Sequence, residues 1–173
     1  MKESNIYTTL VPTVLGDMFV ACTENKILLL CSYDTKYINQ QLHSLKKLYN
    51  AEIIEQKNDV AVALQKELDE YFEGKRRGFS VALELNGTPF EQECYKTLLN
   101  IPYGKTISYK EEAQMIGNPK AYRAVANANA HNRLEILVPC HRVIQANGKL
   151  GGYSGGIEKK IFLLDLEKRV KAL

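Results

Sequence analysis

The sequence has no tryptophan and only four cysteines, which lie far apart along the chain. Cys22, Cys31, Cys94 and Cys140 contain no CxxC pair, so they indicate neither a disulfide framework nor a zinc ribbon. In a reducing compartment all four are expected to be thiols. A free thiol leaves a thiolate available, which is the form that a cysteine nucleophile requires.

Long hydrophobic runs are also missing. No stretch approaches eighteen consecutive apolar residues, and no N-terminal run combines a basic region, an apolar stretch and a cleavage site. We therefore expect a cytoplasmic protein without a membrane partner. The 173 residues, 45% hydrophobic and 25% charged, are typical of a globular protein with one large core or two small domains.

The chain lacks a strong net charge, but the charge it has is unevenly distributed. The total is +3, of which residues 1–85 carry −2 and residues 86–173 carry +5. A basic C-terminal half is compatible with a polyanionic partner, although a solvated surface is the simpler explanation of charge alone.

Strand and helix patterns alternate in the first half of the chain. The predicted elements are the two strands of a hairpin, a helix, another strand and an amphipathic helix: residues 17–23, 26–33, 37–50, 51–56 and 59–74. We therefore expect an α/β (α+β) fold that begins with a small α/β domain, residues 1–80, containing a short antiparallel sheet.

The second half is predicted to be mostly helical. Residues 81–89 include the turn signal Asn86-Gly87 and are interpreted as a linker, which leaves residues 90–173 as a second domain. Thr88 and Pro89 are the candidate N-cap and first position of a helix that runs to residue 100.

Two short helices follow in close succession. Ser108 and Glu111 have the spacing of a capping box, and the helix they begin is expected to stop at Gly117. A second helix, residues 119–130, is rich in alanine and has Lys120 and Arg123 as its long cations. The pair fits a helix-turn-helix, but the pattern alone also fits many helical hairpins. Its small side chains permit close approach to either a packed neighbour or a groove floor.

The stretch "VPCHRV", residues 138–143, sets a cysteine between a proline and a histidine. The apolar run 134–138 predicts that Cys140 lies at the end of a short buried strand, because Pro139 suits a sharp exit. Neighbouring side chains on an extended chain point to opposite faces, so a water or a turn has to connect Cys140 with His141. A nucleophile, a metal ligand and a core residue all remain open at this point.

Two downstream segments offer groups that assist a cysteine nucleophile. Glu167 lies on the apolar side of a predicted C-terminal helix, where its carboxylate either orients a base or sits at the edge of a solvated face. The glycine-rich segment 148–156 surrounds Tyr153 and Ser154. It is either a loop whose backbone closes over a ligand or a plain hairpin connection.

Taken together, "RAV" at residues 123–125, "VPCHRV" and "GGYSGG" at residues 151–156 resemble the methylated-DNA–protein-cysteine methyltransferases, also called O6-alkylguanine-DNA alkyltransferases. The similarity is dense from Gly87 to Glu167 and continues weakly upstream. It implies a ribonuclease-H-like N-terminal domain followed by a DNA-binding catalytic domain. It further implies one irreversible transfer of an alkyl group from O6-alkylguanine, or O4-alkylthymine, in double-stranded DNA to the protein.

The resemblance assigns catalytic roles to five positions. Cys140 is the alkyl acceptor, His141 is its base through a water, and Glu167 orients the histidine. Asn132 orders the active-site turn, while Tyr109 helps to rotate the nucleotide and donates a hydrogen bond to guanine. No cofactor and no metal are expected for this chemistry.

Binding roles also follow from the resemblance, since the target base is flipped out of the duplex into a pocket. The pocket is expected to include Val143, Tyr153, Ser154 and Gly155. The protein is expected to act as a monomer and to bind DNA through the minor groove. The residues expected to contact the DNA are Lys120, Arg123, Ala124, Ala126, Asn127 and Arg142. Arg123 is expected to enter the base stack where the nucleotide has left.

The sequence departs from the family pattern in places that affect the expected substrate range. Glu135 stands where proline or a small residue is frequent, and Cys94-Tyr95 replaces a region where tryptophan is common. Cys22, Cys31 and His43 do not reproduce the zinc spacing of some relatives.

Two alternatives to alkyl transfer remain open. One is a non-catalytic alkyltransferase-like protein that binds the damaged base without reacting, against which the presence of Cys140 argues. The other is a hydrolase that uses Cys140 and His141 over many turnovers.

Overall fold

The computed structural model describes residues 4–173. The chain divides into two compact units, the first ending at Glu84 and the second beginning at Leu85. The division falls inside the segment 81–89 that we expected to be a linker. Residues 81–84 belong to the first unit, where Leu83 bridges to Ile27.

The first unit contains a four-stranded sheet with two helices. Its elements are β1 (Ser4–Val11), β2 (Met18–Cys22), β3 (Ile27–Ser32), α1 (Thr35–Tyr49), β4 (Ala51–Glu55) and α2 (Asp59–Phe72). The predicted hairpin, helices and fourth strand are confirmed, whereas β1 was not predicted. The strand order is β3-β2-β1-β4. The first three strands pair antiparallel, and β4 adds in parallel, so the sheet is mixed.

The parallel strand follows from the connection that precedes it. Parallel neighbours need a crossover, which is usually a helix, and α1 supplies it between β3 and β4. Asp34 caps α1 by accepting a hydrogen bond from the backbone of Tyr37. The helix ends at Asn50 in the left-handed conformation. The core between sheet and helix is apolar and consists of Ile6, Ala21, Leu28, Leu29, Cys31, Ile38, Leu45 and Ala51.

The second unit is mostly helical, as predicted. Its elements are α3 (Pro89–Leu99), β5 (Ile107–Ser108), α4 (Tyr109–Ile116), α5 (Tyr122–Ala130), β6 (Val143–Ile144) and α6 (Ile157–Lys171). Thr88 with Glu91 and Ser108 with Glu111 form the capping boxes that begin α3 and α4. Across the part of the chain that the structure describes, no helix is both long and apolar enough to cross a membrane.

Helices α4 and α5 are joined by a short turn in the arrangement of a helix-turn-helix. Helix α4 ends at Gly117, whose φ of 88° favours glycine. A 3-10 turn, Pro119–Ala121, comes next. The α-helix therefore begins at Tyr122 rather than at residue 119, because proline and its neighbours form this tighter turn first.

The expected strand before Cys140 is absent from the structure. Residues 135–137 form turns, and Ile136 has a positive φ of 70°. The carbonyl of Leu134 accepts from the backbone of Val138 at 2.9 Å, so local bonds replace a strand ladder. The parallel pairing of this region comes after the cysteine instead, between Ile107 of β5 and Val143 of β6.

Candidate active site

Cys140 lies at the start of a buried 3-10 turn, Cys140–Arg142. The side chain of Asn132 organises the approach to it. Its Oδ1 accepts from the backbone of Leu134 at 3.0 Å, and its Nδ2 donates to the carbonyl of Val138 at 2.9 Å. The same amide nitrogen lies 3.3 Å from Sγ of Cys140. The side chain of Asn132 thus pairs with two backbone groups of the turn and also contacts the thiol of Cys140.

The thiol of Cys140 is held in its protonated form. Burial raises its pKa to about 12, and the hydrogen bond from Asn132 offsets only part of that effect. At neutral pH a base has to remove the proton before the sulfur can act as a nucleophile.

His141 presents a nitrogen suited to that task. Its Nε2 lies 2.6 Å from Oε2 of Glu167, and both side chains are buried. An ionised carboxylate only accepts, so Nε2 carries the hydrogen and Nδ1 carries the lone pair. Nδ1 has no hydrogen-bond partner among the described residues. Burial lowers the pKa of His141 despite the raising effect of Glu167, so the imidazole is neutral and can accept a proton at Nδ1.

Several donors converge on Glu167 besides His141. Its Oε1 accepts from Nε of Arg142 at 2.8 Å and from the backbone of Gly104 at 3.1 Å. Burial by itself would raise the pKa of Glu167, but the hydrogen bonds from His141 and Arg142, together with the guanidinium charge, hold it well below its usual range. The buried carboxylate is therefore ionised and paired.

This placement corrects the predicted DNA contact of Arg142. The side chain is buried, and its Nη1 donates to the carbonyl of Ile101 at 2.7 Å while Nε and Nη2 bind Glu167. The guanidinium is therefore committed to the interior, because moving it to DNA would leave the buried Glu167 carboxylate without its counter-charge.

A cavity of about 270 Å³ opens beside the thiol, which is near the lower end of the range for small-ligand sites. Its lining brings together several predicted residues and adds three that were not predicted: Tyr109, Ala126, Cys140, Tyr153 and Ser154, then Asn129, Ala130 and Gly152. Ser154 donates to the carboxylate of Glu135 at 3.3 Å.

The glycine-rich loop approaches Tyr109 closely. Gly151 has a φ of 71°, and a β-carbon at that position would lie 2.9 Å from the Tyr109 hydroxyl oxygen. Only glycine fits there without displacing the ring. The loop and Tyr109 therefore form one continuous wall of the cavity.

Lys160 of α6 binds backbone carbonyls of the glycine-rich loop, a role that was not predicted from the sequence. Its fully buried ammonium donates to the carbonyls of Val143, Leu150 and Gly152 at 2.7, 2.6 and 3.0 Å. Burial lowers its pKa to about 8. The helical spacing could have indicated that Lys160 is buried, since it lies three residues before Leu163 and seven before Glu167 on the buried face of α6.

Four of the five predicted DNA-contacting residues in α5 and the turn before it share an exposed face. Lys120, Arg123, Ala124 and Asn127 are all exposed, at the spacing of one helical stripe. Ala126 lies on the neighbouring stripe and lines the cavity instead. Within residues 4–173, no group of three or more His, Cys, Asp and Glu side chains is placed to hold a metal ion.

Fold and site together define a two-unit α/β protein in which a helix-turn-helix unit carries a buried cysteine beside a histidine–glutamate pair. Two family models match the chain. The 6-O-methylguanine DNA methyltransferase ribonuclease-like domain matches residues 6–85, and the DNA binding domain of the same family matches residues 89–169. The chain belongs to the 6-O-methylguanine DNA methyltransferase family, which confirms the predicted resemblance.

Individual relatives agree with this assignment. A constitutive methylated-DNA–protein-cysteine methyltransferase of Bacillus subtilis is 42% identical over 165 residues, 95% of this chain and 96% of that protein. The Mycobacterium tuberculosis methylated-DNA–protein-cysteine methyltransferase is 57% identical over 102 residues; this match covers 59% of this chain and spans 62% of that relative's length. The crystal structure of Mycobacterium tuberculosis OGT in complex with DNA matches with a TM-score of 0.80 at 37% identity, covering 95% of this chain and 94% of that one.

Proposed function

We propose that this chain repairs DNA by transferring the alkyl group of O6-alkylguanine irreversibly to its own Cys140. The observation that carries the proposal is the position of Cys140. Its thiol lines a cavity of about 270 Å³, contacts Asn132 and precedes a histidine whose Nδ1 has no hydrogen-bond partner among the described residues. Membership of the family and the names of the relatives support the same reaction.

The chemistry is a single in-line displacement. The Cys140 proton passes through a water to Nδ1 of His141, while Glu167 holds the opposite ring nitrogen. The sulfur–carbon bond forms as the bond between carbon and O6 breaks, and the electron pair of that bond stays on guanine. The displaced guanine takes up a proton at a ring nitrogen and remains in the DNA strand as the restored neutral base. Because the thioether is not cleaved again, each molecule acts once and needs no cofactor.

Access to the alkyl carbon requires the base to leave the stack. We propose that the protein binds DNA as a monomer and that the exposed face of α5 and the turn before it enters the minor groove. The residues placed at the DNA are Lys120, Arg123, Ala124 and Asn127. Arg123 then fills the gap left by the flipped nucleotide. The crystal structure of the mycobacterial relative in complex with DNA supports DNA as the partner. The expected site of action is the cytoplasm.

The cavity then receives the flipped base. Tyr109 donates a hydrogen bond to the guanine ring, and the backbone carbonyls of Cys140 and Val143 accept from its exocyclic amine. Tyr153, Ser154 and Gly155 form the opposing loop, with Ser154 near O6. O4-alkylthymine is the second substrate that we propose for this pocket.

Peptide mapping tests the proposal directly. The protein is incubated with duplex DNA that carries one O6-methylguanine, digested and analysed by mass spectrometry. We expect one added methyl group on the peptide containing Cys140, and Cys140→Ser should bind the same DNA without becoming methylated. Tight binding with an unmodified Cys140 would favour the non-catalytic alternative. Repeated turnover without methylated protein would favour a hydrolase.

A further inference from the structure

A polar pair that none of the proposed steps uses lies at the wall of the cavity, where one of its two residues, Asn129, is part of the lining. Glu112 of α4 is completely buried, and Asn129 of α5 is 6% exposed. Nδ2 of Asn129 donates to Oε2 of Glu112 at 2.7 Å. A buried carboxyl group is costly unless it is paired, so its presence directly behind a cavity-lining side chain calls for a reason.

Two oxygens of this pair are left over, one on each partner. Oε1 of Glu112 and Oδ1 of Asn129 are both buried and have no hydrogen-bond partner among the described residues. A carboxylic acid proton between them would satisfy both atoms and close a two-bond acid–amide pair. In agreement, burial raises the pKa of Glu112 to about 7 although the bond from Asn129 acts in the opposite direction. The pair is thus suited to be neutral and rigid.

The pairing also determines what Asn129 presents to the cavity. Its nitrogen is engaged by Glu112, and its oxygen is inaccessible to solvent, yet the residue lines the cavity. With both polar atoms committed to this pair or buried, the remaining surfaces of the side chain are the two faces of its amide and its β-carbon. Ala126 and Ala130, three residues before and one residue after it, add only methyl groups to the same wall. Such a wall accommodates a planar ring.

We propose that Asn129 is a substrate-contacting residue whose amide plane stacks on the flipped base, and that Glu112 is the positioning residue that locks this plane. The inference rests on the proposed function and deepens it. A fixed plane loses no rotational freedom when the base enters, which favours binding. The two fused rings of a purine reach past this small plane to the neighbouring Ala126 and Ala130, whereas a single pyrimidine ring reaches less of that wall, so the pair favours alkylguanine over alkylthymine.

The test compares two duplexes, one with a single O6-methylguanine and one with a single O4-methylthymine. The quantity measured is the ratio of their second-order rate constants for methyl transfer to Cys140. Both rate constants come from the same preparation, so a partly folded variant changes them equally and leaves the ratio intact. We expect Asn129→Leu, which keeps the volume and removes the planar amide, to lower the ratio roughly threefold to fivefold, less than a whole stacking contact is worth, because both bases lose the contact and only the difference enters the ratio.

Variants of Glu112 separate positioning from simple filling of space. In Glu112→Gln the side chain can exchange two hydrogen bonds with Asn129, as a protonated Glu would, so the ratio should stay within about twofold of wild type. Glu112→Leu removes the lock and should lower the ratio like Asn129→Leu. The double variant Glu112→Leu/Asn129→Leu should show no further loss, because the two residues act as one unit.

The control is Asn100→Leu, the same substitution at the exposed end of α3, which should leave the ratio unchanged. An unchanged ratio in both Asn129→Leu and Glu112→Leu, with normal transfer by the wild type, would overturn this inference alone. So would a Glu112→Gln ratio as low as that of Glu112→Leu. Failure of the wild type to methylate Cys140 would overturn the proposed function and this inference with it.

Discussion

Nε2 of His141 and Oε2 of Glu167 lie 2.6 Å apart in the interior of the second unit, with 0% and 1% of their side chains exposed. This contact determines which nitrogen of the imidazole carries the hydrogen and which one can act as a base. Because Arg142 and Gly104 also donate to Glu167, the carboxylate is fixed from several sides. The geometry of the base is thus built into the fold before any DNA binds.

Replacing Glu167 by Gln should impair the reaction strongly. Glutamine can donate to Nε2 of His141 and so favour the wrong tautomer, and it leaves the guanidinium of Arg142 without its counter-charge. We expect a drop of about 10²-fold in the first-order rate of methyl transfer at saturating DNA, the lower end of what general base catalysis contributes. Loss of the partner of a buried charge should also cost about 3 kcal/mol of stability or more.

Asp165→Asn is the matched control for this change. Asp165 lies on the same helix, but its ion pair with Arg169 is exposed on both sides. Exposed pairs contribute between about 0 and 1 kcal/mol, so rate and stability should both stay near wild type. Equal transfer rates in Glu167→Gln and Asp165→Asn would contradict the assigned role of Glu167.

The transfer rate should depend on pH through His141. In the proposed mechanism its neutral form is the base, and burial lowers its pKa below the ordinary value of 6.5. The first-order rate of transfer should therefore be flat around neutral pH and fall only as the pH drops below that value. Single-turnover measurements with saturating DNA report this limb of the profile. A rate that increases on acidification would show that protonated His141 is the active form.

Removing the Lys160 ammonium should loosen the loop that lines the cavity. Lys160→Met keeps the length of the side chain but leaves the carbonyls of Val143, Leu150 and Gly152 without their donor. Each buried acceptor that is left without a donor lowers the stability of the fold by about 1–3 kcal/mol. We expect a lower melting temperature and faster hydrogen exchange in residues 148–156, measured by mass spectrometry.

The exposed Lys168→Met on the same helix is the control for that experiment. It removes the same charge without removing a buried donor, so the exchange of the loop should not change. Equal protection of residues 148–156 in the wild type and in Lys160→Met would show that the ammonium does not hold the loop.

Glu112 should make the protein less stable as the pH rises. Its pKa is raised from 4.5 to about 7 in the folded state, so between these values the folded chain holds a proton that the unfolded chain has released. The free energy of unfolding therefore falls with increasing pH across this window, by up to about 3 kcal/mol, and levels off above it. Glu112→Gln cannot titrate, so denaturant unfolding should show its advantage over wild type growing between pH 5 and pH 8. A constant difference would mean that Glu112 is ionised throughout.

Much of the fold was accessible from local sequence signals. Thr88 with Pro89, Ser108 with Glu111, and Gly117 marked helix ends correctly, because a cap depends on residues within one turn. The prediction of a strand before Cys140 was wrong, since its apolar residues are buried through turns that side-chain hydrogen bonds from the nearby Asn132 stabilise, a pattern that hydrophobicity alone does not reveal.

The same distinction between local and distant interactions applies to the residues of the site. Cys140, Tyr109, Tyr153 and Ser154 were identified from their motifs and line one cavity. The partners of Arg142 and Lys160 could not be identified from the sequence. The position of a lysine or arginine in the chain does not tell whether its charged group reaches solvent or a buried acceptor. Only the folded chain brings Glu167, Ile101 and the loop carbonyls to these two side chains.

The stoichiometry of repair tests the central claim most directly. The protein is mixed with an excess of duplex DNA containing O6-methylguanine, and restored guanine is measured over time together with the intact protein mass. We predict that repair stops when one guanine has been restored per protein molecule and that each chain then carries one methyl group, located on Cys140. Continued repair beyond that point, or repair that leaves the protein mass unchanged, would contradict the account.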